Sequence, residues 1–399
     1  MKQNIRFLID VLKSAITNKA ITLPEFEISE DVFLILKKHH ITTMFFYGLL
    51  NCNAMFDDVK NKLHDVVISE FVISEKQMLC FADIVERFKE NKIDYMPLKG
   101  CLLKSNYPKP EIRRMGDIDI LIKTNQYKKI IKVMRDLGFE QGKETDHELK
   151  WTRDGILVEL HKRLIPTDNI DYVAVLGDGW SLAKKITDNE YSMNKEDMFI
   201  YLFLHFTKHY RDAGIGIIHM CDIYIYTNSV ELDFGYISER LKKLGIYEFW
   251  LNVEYTLGVW FGENIDTKIS DYITEVILNS GVYGTYNNIV LSVALKQKEK
   301  SEKFLNDVWR QLFPSYTWMK NRHPILADAP VFLPFFWIVR WFDLCFKNRK
   351  RIFDKISERK IATDQRVSEY EKSLAYVGLK YDFKSKMVKN GEVFDQKLN

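Results

Sequence analysis

The sequence predicts an α+β protein in which a short cluster of strands is set into a mostly helical chain. Three observations lead to this reading. Apolar residues recur at helical spacing across residues 5–91 and again beyond Pro166. Between those stretches, Ile93–Leu98, Ile118–Ile122 and Ile156–Leu160 are apolar runs of strand length. Only 9 prolines and 18 glycines punctuate the 399 residues, which suits long helices.

The N-terminal region, 1–91, begins with Phe7, Leu8, Val11, Leu12 and Ala15 on one helical face. Pro24 breaks the pattern and Ser29-Glu30-Asp31 restarts it, with Ser29 positioned to cap the new helix. Val67, Phe71, Val72 and the run Met78–Ile84 carry helical periodicity to the edge of the strands. In the core, 92–165, the first strand closes on Lys99-Gly100 and leads into a short helical run, Cys101–Asn106. Asn125–Leu137 is a helix with Lys128, Lys129 and Lys132 outward and Ile130, Ile131 and Met134 inward, and Gly138 ends it in a left-handed cap. Phe139–Gly142 and Lys150–Thr152 add shorter strands. Residues 166–310 return to helix, in the segments Glu196–Tyr210, Met220–Tyr226, Phe234–Leu244 and Glu248–Val259, and 311–399 form a C-terminal extension.

Composition sets bounds on what the chain does. Hydrophobic residues at 46% and charged residues at 28% are those of a globular protein, and the length suits two or three domains. A net charge of +3 and no basic stripe interleaved with aromatics near the strands argue against nucleic acid as a partner. Cys52, Cys80, Cys101, Cys221 and Cys345 are scattered, with no Cys-x-x-Cys, which argues against a zinc site and a disulfide framework. The first residues run directly into an amphipathic helix without a cleavable signal, so a cytoplasmic location is expected.

The residues able to do chemistry converge on the strands. Alternation puts Asp117 and Asp119 on one strand face and Ile118, Ile120 and Ile122 on the other. Neighbouring carboxylates repel unless a cation lies between them or one holds a proton, and hard oxygen donors in this pattern suit Mg²⁺ bound together with phosphates. Glu159 sits mid-strand among Leu157, Val158 and Leu160, where burial is costly without a partner, and His161 shares its face. Gly100 lets phosphate oxygens approach backbone N–H groups, and Lys99 and Arg113 supply positive charge beside it. An isolated Asp-x-Asp or Lys-Gly is common in ordinary strands and turns. The ordered series of strand, glycine turn, helix, two-acid strand, helix and one-acid strand is far more specific.

Met96-Pro97-Leu98-Lys99-Gly100, then Arg113 with Gly116-Asp117-Ile118-Asp119-Ile120-Leu121-Ile122, then His147 and Val158-Glu159-Leu160-His161 resemble the uncharacterised bacterial nucleotidyltransferase family. That family is a divergent branch of the DNA-polymerase-beta-like nucleotidyltransferases, with Leu-Lys-Gly where better-known members carry Gly-Ser. Lys195–Phe199, His205–His209, Cys221-Asp222-Ile223, Leu312–Tyr316 and Leu333–Arg340 continue the likeness, so it spans most of the chain. One departure is Ile218, where the family often has an Arg four residues before the aspartate.

The resemblance implies a small mixed sheet with flanking helices and two divalent-metal sites, Mg²⁺ or alternatively Mn²⁺, with Asp117, Asp119 and Glu159 as ligands. It implies transfer of a nucleoside monophosphate, most simply AMP from ATP, to an acceptor that is a small molecule, a saccharide or a protein side chain. The triphosphate would rest on Lys99-Gly100 with Arg113 nearby. His161 would orient Glu159, touch the acceptor or fill the site edge, and His147 follows from the likeness alone. The helix carrying His205 and Lys208 would close the cleft and shape the acceptor pocket. His205 and His209, one helical turn apart, are either a metal pair or histidines facing core or phosphate.

Two other readings stay open: a non-catalytic nucleotide-binding or regulatory protein on the same scaffold, and a phosphotransferase using the same site. The apolar run Val331–Phe346 is interrupted by Pro334, Arg340 and Asp343 and followed by Lys347, Arg349, Lys350 and Arg351. It is shorter than the ~20 residues of a spanning helix, so 331–351 is either a packed C-terminal helix or a peripheral membrane contact.

Overall fold

Leu8, Val11, Leu12 and Ala15, the apolar face expected near the start, are all buried in α1 (Gln3–Thr17). The computed structural model describes residues 3–23, 28–52, 56–300, 313–316, 319–320, 323–327, 329–337, 358, 360–383, 386–389 and 392–395. Helices α2 (Glu30–His39) and α3 (Thr42–Leu50) follow, and Ser29 occupies the N-cap position of α2 with extended backbone, though its side chain makes no capping bond. At Gly48, α3 crosses α1 so closely that an added Cβ would lie 2.1 Å from the Val11 carbonyl oxygen. Gly48→Ala is therefore expected to lower stability by about 1–3 kcal/mol in a urea titration, because backbone rather than a mobile side chain must move.

The long helix α4 (Asp57–Glu90) turns differently from the periodicity reading. Val67 is buried as expected, but Phe71 and Val72 face solvent at 43% and 44% exposure. Glu70 takes the inward position instead, accepting hydrogen bonds from the Thr43 hydroxyl and the Arg114 guanidinium. A buried acid satisfied by such partners outweighs the hydropathy signal.

Five strands form the central sheet: β1 (Tyr95–Pro97), β2 (Ile118–Ile122), β3 (Glu140–Glu144), β4 (Glu148–Arg153) and β5 (Ile156–His161), in the order β1-β2-β5-β4-β3. Only β2 and β5 pair in parallel, so the sheet is mixed, and the α+β class holds. Between these strands lie α5 (Gly100–Leu103) and α6 (Tyr127–Asp136), and Gly138 beyond α6 adopts φ +78° as expected of a left-handed cap. One face of the sheet, with Ile118, Ile120, Ile122, Val158, Leu160 and Trp151, packs in one apolar core with Ile84 and Phe88 of α4 and Ile130 and Met134 of α6. The opposite face carries the acids.

Beyond the sheet come α7 (Ile170–Leu176), a hairpin of β6 (Ala183–Lys185) and β7 (Tyr191–Met193) whose turn bonds the β1 edge at Tyr95, and α8 (Lys195–Asp212), whose Tyr201 lies near Lys99 and Asp119. Next come α9 (Ile217–Ser229), α10 (Phe234–Lys243), α11 (Tyr247–Phe261), α12 (Lys268–Ser280) and α13 (Tyr286–Lys300), then α14 (Asp364–Tyr376) and the hairpin β8 (Lys386–Lys389) and β9 (Glu392–Asp395). Helices α1–α3 share one apolar core with this second helical set. Arg211 of α8 is fully buried between the rings of Tyr172 and Tyr381, at 4.1 and 4.0 Å, and donates to Asp171 and Asn169. The hydroxyls of Tyr370 and Tyr381 donate to its carbonyl, which fastens the segment after α13 onto α8.

Among the described residues no helix is long and apolar enough to cross a membrane. The part of the 331–351 segment beyond residue 337, including its basic collar, lies outside the described residues.

Candidate active site

The parallel pairing of β2 with β5 sets Asp119 opposite Glu159 and Leu121 opposite His161. Because side chains alternate along each strand, Asp119, Glu159 and His161 share the face turned away from α4 and α6. Asp119 is buried, and its Oδ1 accepts from Lys99 Nζ at 2.8 Å and from His161 Nε2 at 2.6 Å. Glu159 is also buried, with Oε1 receiving Lys150 Nζ at 2.5 Å and Oε2 lying 3.8 Å from His161 Nε2. Donor atoms of Asp119, Glu159 and His161 all fall within 4.8 Å of one another. The cost of burying Glu159, anticipated from its apolar neighbours, is met by Lys150.

The charges on this face are unequal. Burial alone would raise Asp119, but Lys99 and then the His161 hydrogen bond hold it well below the usual carboxylate range. Burial, and next the Asp119 charge, push Asp117 up to about 7. Of the two aspartates, Asp119 is thus the ionised one and Asp117 the one that holds a proton near neutrality. Burial lowers His161, which is therefore neutral with its proton on Nε2, and its Nδ1 is buried without a partner among the described residues.

At the Lys99-Gly100 turn the positive φ falls on Lys99, at +43°, and not on the glycine. Gly100 is buried, and a Cβ there would sit 2.9 Å from Met115 Cγ, so its smallness makes room for Met115. Lys99 reaches Asp119 and is held above the usual lysine value, since that carboxylate more than offsets the lowering by burial. Arg113 is engaged by Asp222 of α9, with Nε to Oδ1 at 3.1 Å and Nη2 to Oδ2 at 2.7 Å, and the Tyr107 hydroxyl donates to the same Oδ1 at 2.6 Å. The positive charge expected beside a phosphate is therefore neutralised within the fold. Ile218 is a buried core residue one turn before Asp222, which draws its cation from Arg113.

His147 lies at the rim, with Nε2 2.9 Å from Glu148 Oε2 and its ring 5.5 Å from that of His161. His147, Glu148 and His161 form a second group able to hold a metal. His205 and Lys208 come from α8, and His205 shares a narrow cleft with Lys99, Arg113, His219 and Asp222. His205 and His209 touch, Nε2 to Nε2 at 3.0 Å, but no third ligand joins them in a metal-sized group among the described residues.

Sequence reasoning passed over Glu148, Lys150 and Tyr201. Lys150 bridges Glu148 and Glu159, at 3.2 and 2.5 Å, and faces Glu159 across β4 and β5. The alternation Glu148-x-Lys150 along a strand was the available signal. Tyr201 is wholly buried on α8, its hydroxyl lacks a partner among the described residues, and its electrostatic neighbours are Lys99, Asp119, Asp117 and Glu159. Among apolar helix residues it carried no signal at all.

Comparison with known proteins agrees with this geometry. The family described as "Uncharacterised nucleotidyltransferase" matches residues 29–262, more than half of the chain. No curated protein matches the sequence. A solved structure of the antibiotic-resistance factor ANT(2'')-Ia has 12% identity and a TM-score of 0.32, over 43% of this chain and 90% of that one, a likeness too slight to argue from.

Proposed function

Since the chain belongs to the uncharacterised nucleotidyltransferase family and is thereby a nucleotidyltransferase, we propose that it moves a nucleoside monophosphate, most simply AMP from ATP, onto an acceptor that is a small molecule, a saccharide or a protein side chain. The observation behind this reading is the β2–β5 register, which brings acids forty residues apart to one point on the sheet.

The donor set fits a divalent ion. Two buried carboxylates, Asp119 and Glu159, and the His161 imidazole lie within bridging reach, and Asp117, raised by burial and then by the Asp119 charge, adjoins them without being one of these donors. Asp117, Asp119 and Glu159 would hold Mg²⁺, and the nearby imidazole admits Mn²⁺ as well. Such an ion supplies Lewis-acid stabilisation of phosphoryl charge and activation of the acceptor oxygen.

The chain's own residues account for the rest. Lys99 and His161 keep Asp119 ionised and fix its Oδ1, while neither hydrogen bond engages Oδ2. Lys150 fixes Oε1 of Glu159 and leaves Oε2 on the His161 side. Burial strengthens these orientations because little water competes for the same groups. Rigid positioning with charge neutralisation is what phosphoryl-group chemistry demands of a protein.

The test is incubation with Mg²⁺, native cell lysate and ATP labelled at either the α or the γ phosphate. Nucleotidyl transfer puts α label, and no γ label, on an acceptor and releases pyrophosphate. Acceptor carrying γ label would instead support phosphotransfer, and binding without label on any acceptor would support the non-catalytic reading.

A further inference from the structure

The inner face of α8 presents hydrogen-bond donors in a row. Tyr201, His205 and His209 are successive i,i+4 neighbours, with Lys208 beside them, and the ring centroids lie 6.4 Å apart for Tyr201–His205 and 4.3 Å apart for His205–His209. His219 of α9 flanks the row, 6.2 Å from His205 and 6.5 Å from His209. His205 and His219 also line the cleft that contains Lys99, which leads directly to Asp119.

Tyr201 and Lys208 lack partners among the described residues, whereas His205 and His209 hydrogen-bond each other, Nε2 to Nε2 at 3.0 Å. The Tyr201 hydroxyl is buried and unsatisfied. Lys208 has no hydrogen-bond or ion-pair partner among the described residues, although Lys296 nearby is fully matched by Asp168 and Asp212. Burial, then Lys99, depress His205 far below the usual imidazole value, and burial, then Lys208, do the same to His209. Both histidines are therefore neutral and share one N–H between them, and burial also lowers Lys208 below the usual lysine value, so a negative partner would favour its charged form. A buried unpaired hydroxyl and an unpaired ammonium are costly to retain, and an anion with several acceptor oxygens satisfies both together.

We propose that the row formed by Tyr201, His205, Lys208 and His209 is a binding site for a phosphoanion, supplied either by the polyphosphate of the nucleotide or by a phosphate group on the acceptor. The inference rests on the nucleotidyl-transfer reading only for those two sources; the site itself follows from the donors. It also predicts that a polycationic acceptor is disfavoured, since such a ligand would meet Lys208 and Lys99 without counter-charge.

Binding is measured by calorimetry on the full chain at low ionic strength in EDTA, so that no metal bound by the carboxylates contributes. The probes are inorganic tripolyphosphate, inorganic phosphate and ATP. Lys208→Met and His205→Gln are each expected to weaken anion binding about tenfold or more, the loss of one charge-assisted bond, and Lys208→Arg to retain it. Competition between tripolyphosphate and ATP identifies the nucleotide tail as the source. Phosphate that binds alongside ATP and is lost in Lys208→Met identifies the acceptor. The proposal is overturned if the wild-type protein binds none of the three at millimolar concentration, or if the variants melt like wild type and bind as tightly. Because no turnover is measured, failure here leaves the labelling result on nucleotidyl transfer untouched, and the reverse also holds.

Discussion

Asp117→Asn is expected to abolish Mg²⁺-dependent pyrophosphate release, by roughly 10³-fold or more, while making the metal-free protein more stable above neutral pH. The two effects have opposite signs because one carboxylate causes both. Burial and the adjacent Asp119 raise Asp117 from 3.8 to about 7. A carboxyl whose native pKa lies above its unfolded value contributes stability that is complete below about pH 4 and lost as pH rises through about 7. A shift of that size corresponds to at most ~4 kcal/mol, and solvent screening at this partly exposed side chain reduces it to about 1–2 kcal/mol. Asparagine keeps the shape and removes the repulsion. Thermal melts in EDTA at about pH 5 and about pH 8 should show the wild-type protein losing stability relative to the variant only at the higher pH. Added Mg²⁺ should restore wild type and not the variant. Wild-type turnover in Asp117→Asn, or parallel pH profiles, would remove Asp117 from the site.

The second large effect concerns the joint between sheet and helices. Asp222→Ala is expected to cost about 3–5 kcal/mol in chemical denaturation, because it strands the buried Arg113 guanidinium. The Tyr107 hydroxyl loses its acceptor in the same change. Activity should fall as well, since Arg113 Nη1 also bonds the Arg114 carbonyl and lies against Gly100, beside Lys99. Replacing both partners with apolar residues, Arg113→Met with Asp222→Leu, should recover much of the stability. A denaturation midpoint unchanged by Asp222→Ala would show that the ion pair anchors nothing.

These two residues also illustrate how far the sequence could be read. The face of Asp119 was legible because alternation along a strand is local: Ile118, Ile120 and Ile122 occupy the core face as their spacing required, while Asp117 precedes β2 and is not one of the donors gathered with Asp119. Glu159 was legible as a buried acid in need of a partner, and Lys150 is that partner. Arg113 was expected near phosphate, but its charge is taken up by Asp222, 109 residues further on. No local rule pairs residues at such a distance. The same holds for α4, where periodicity favoured Phe71 and Val72 and the structure buries Glu70, because Thr43 and Arg114 arrive from elsewhere to satisfy it.

The α+β class, the strands at Ile118–Ile122 and Ile156–Leu160, and the apolar faces of α1 and α6 followed from the chain itself, since spacing and alternation act over a few residues. Which cation each acid meets, which of two aspartates keeps its proton, and why Tyr201 and Lys208 stand unpaired among the described residues were decided only when distant segments packed together. Those outcomes depend on distances of a few ångströms between residues far apart in sequence, and electrostatics in a buried site is governed by such distances.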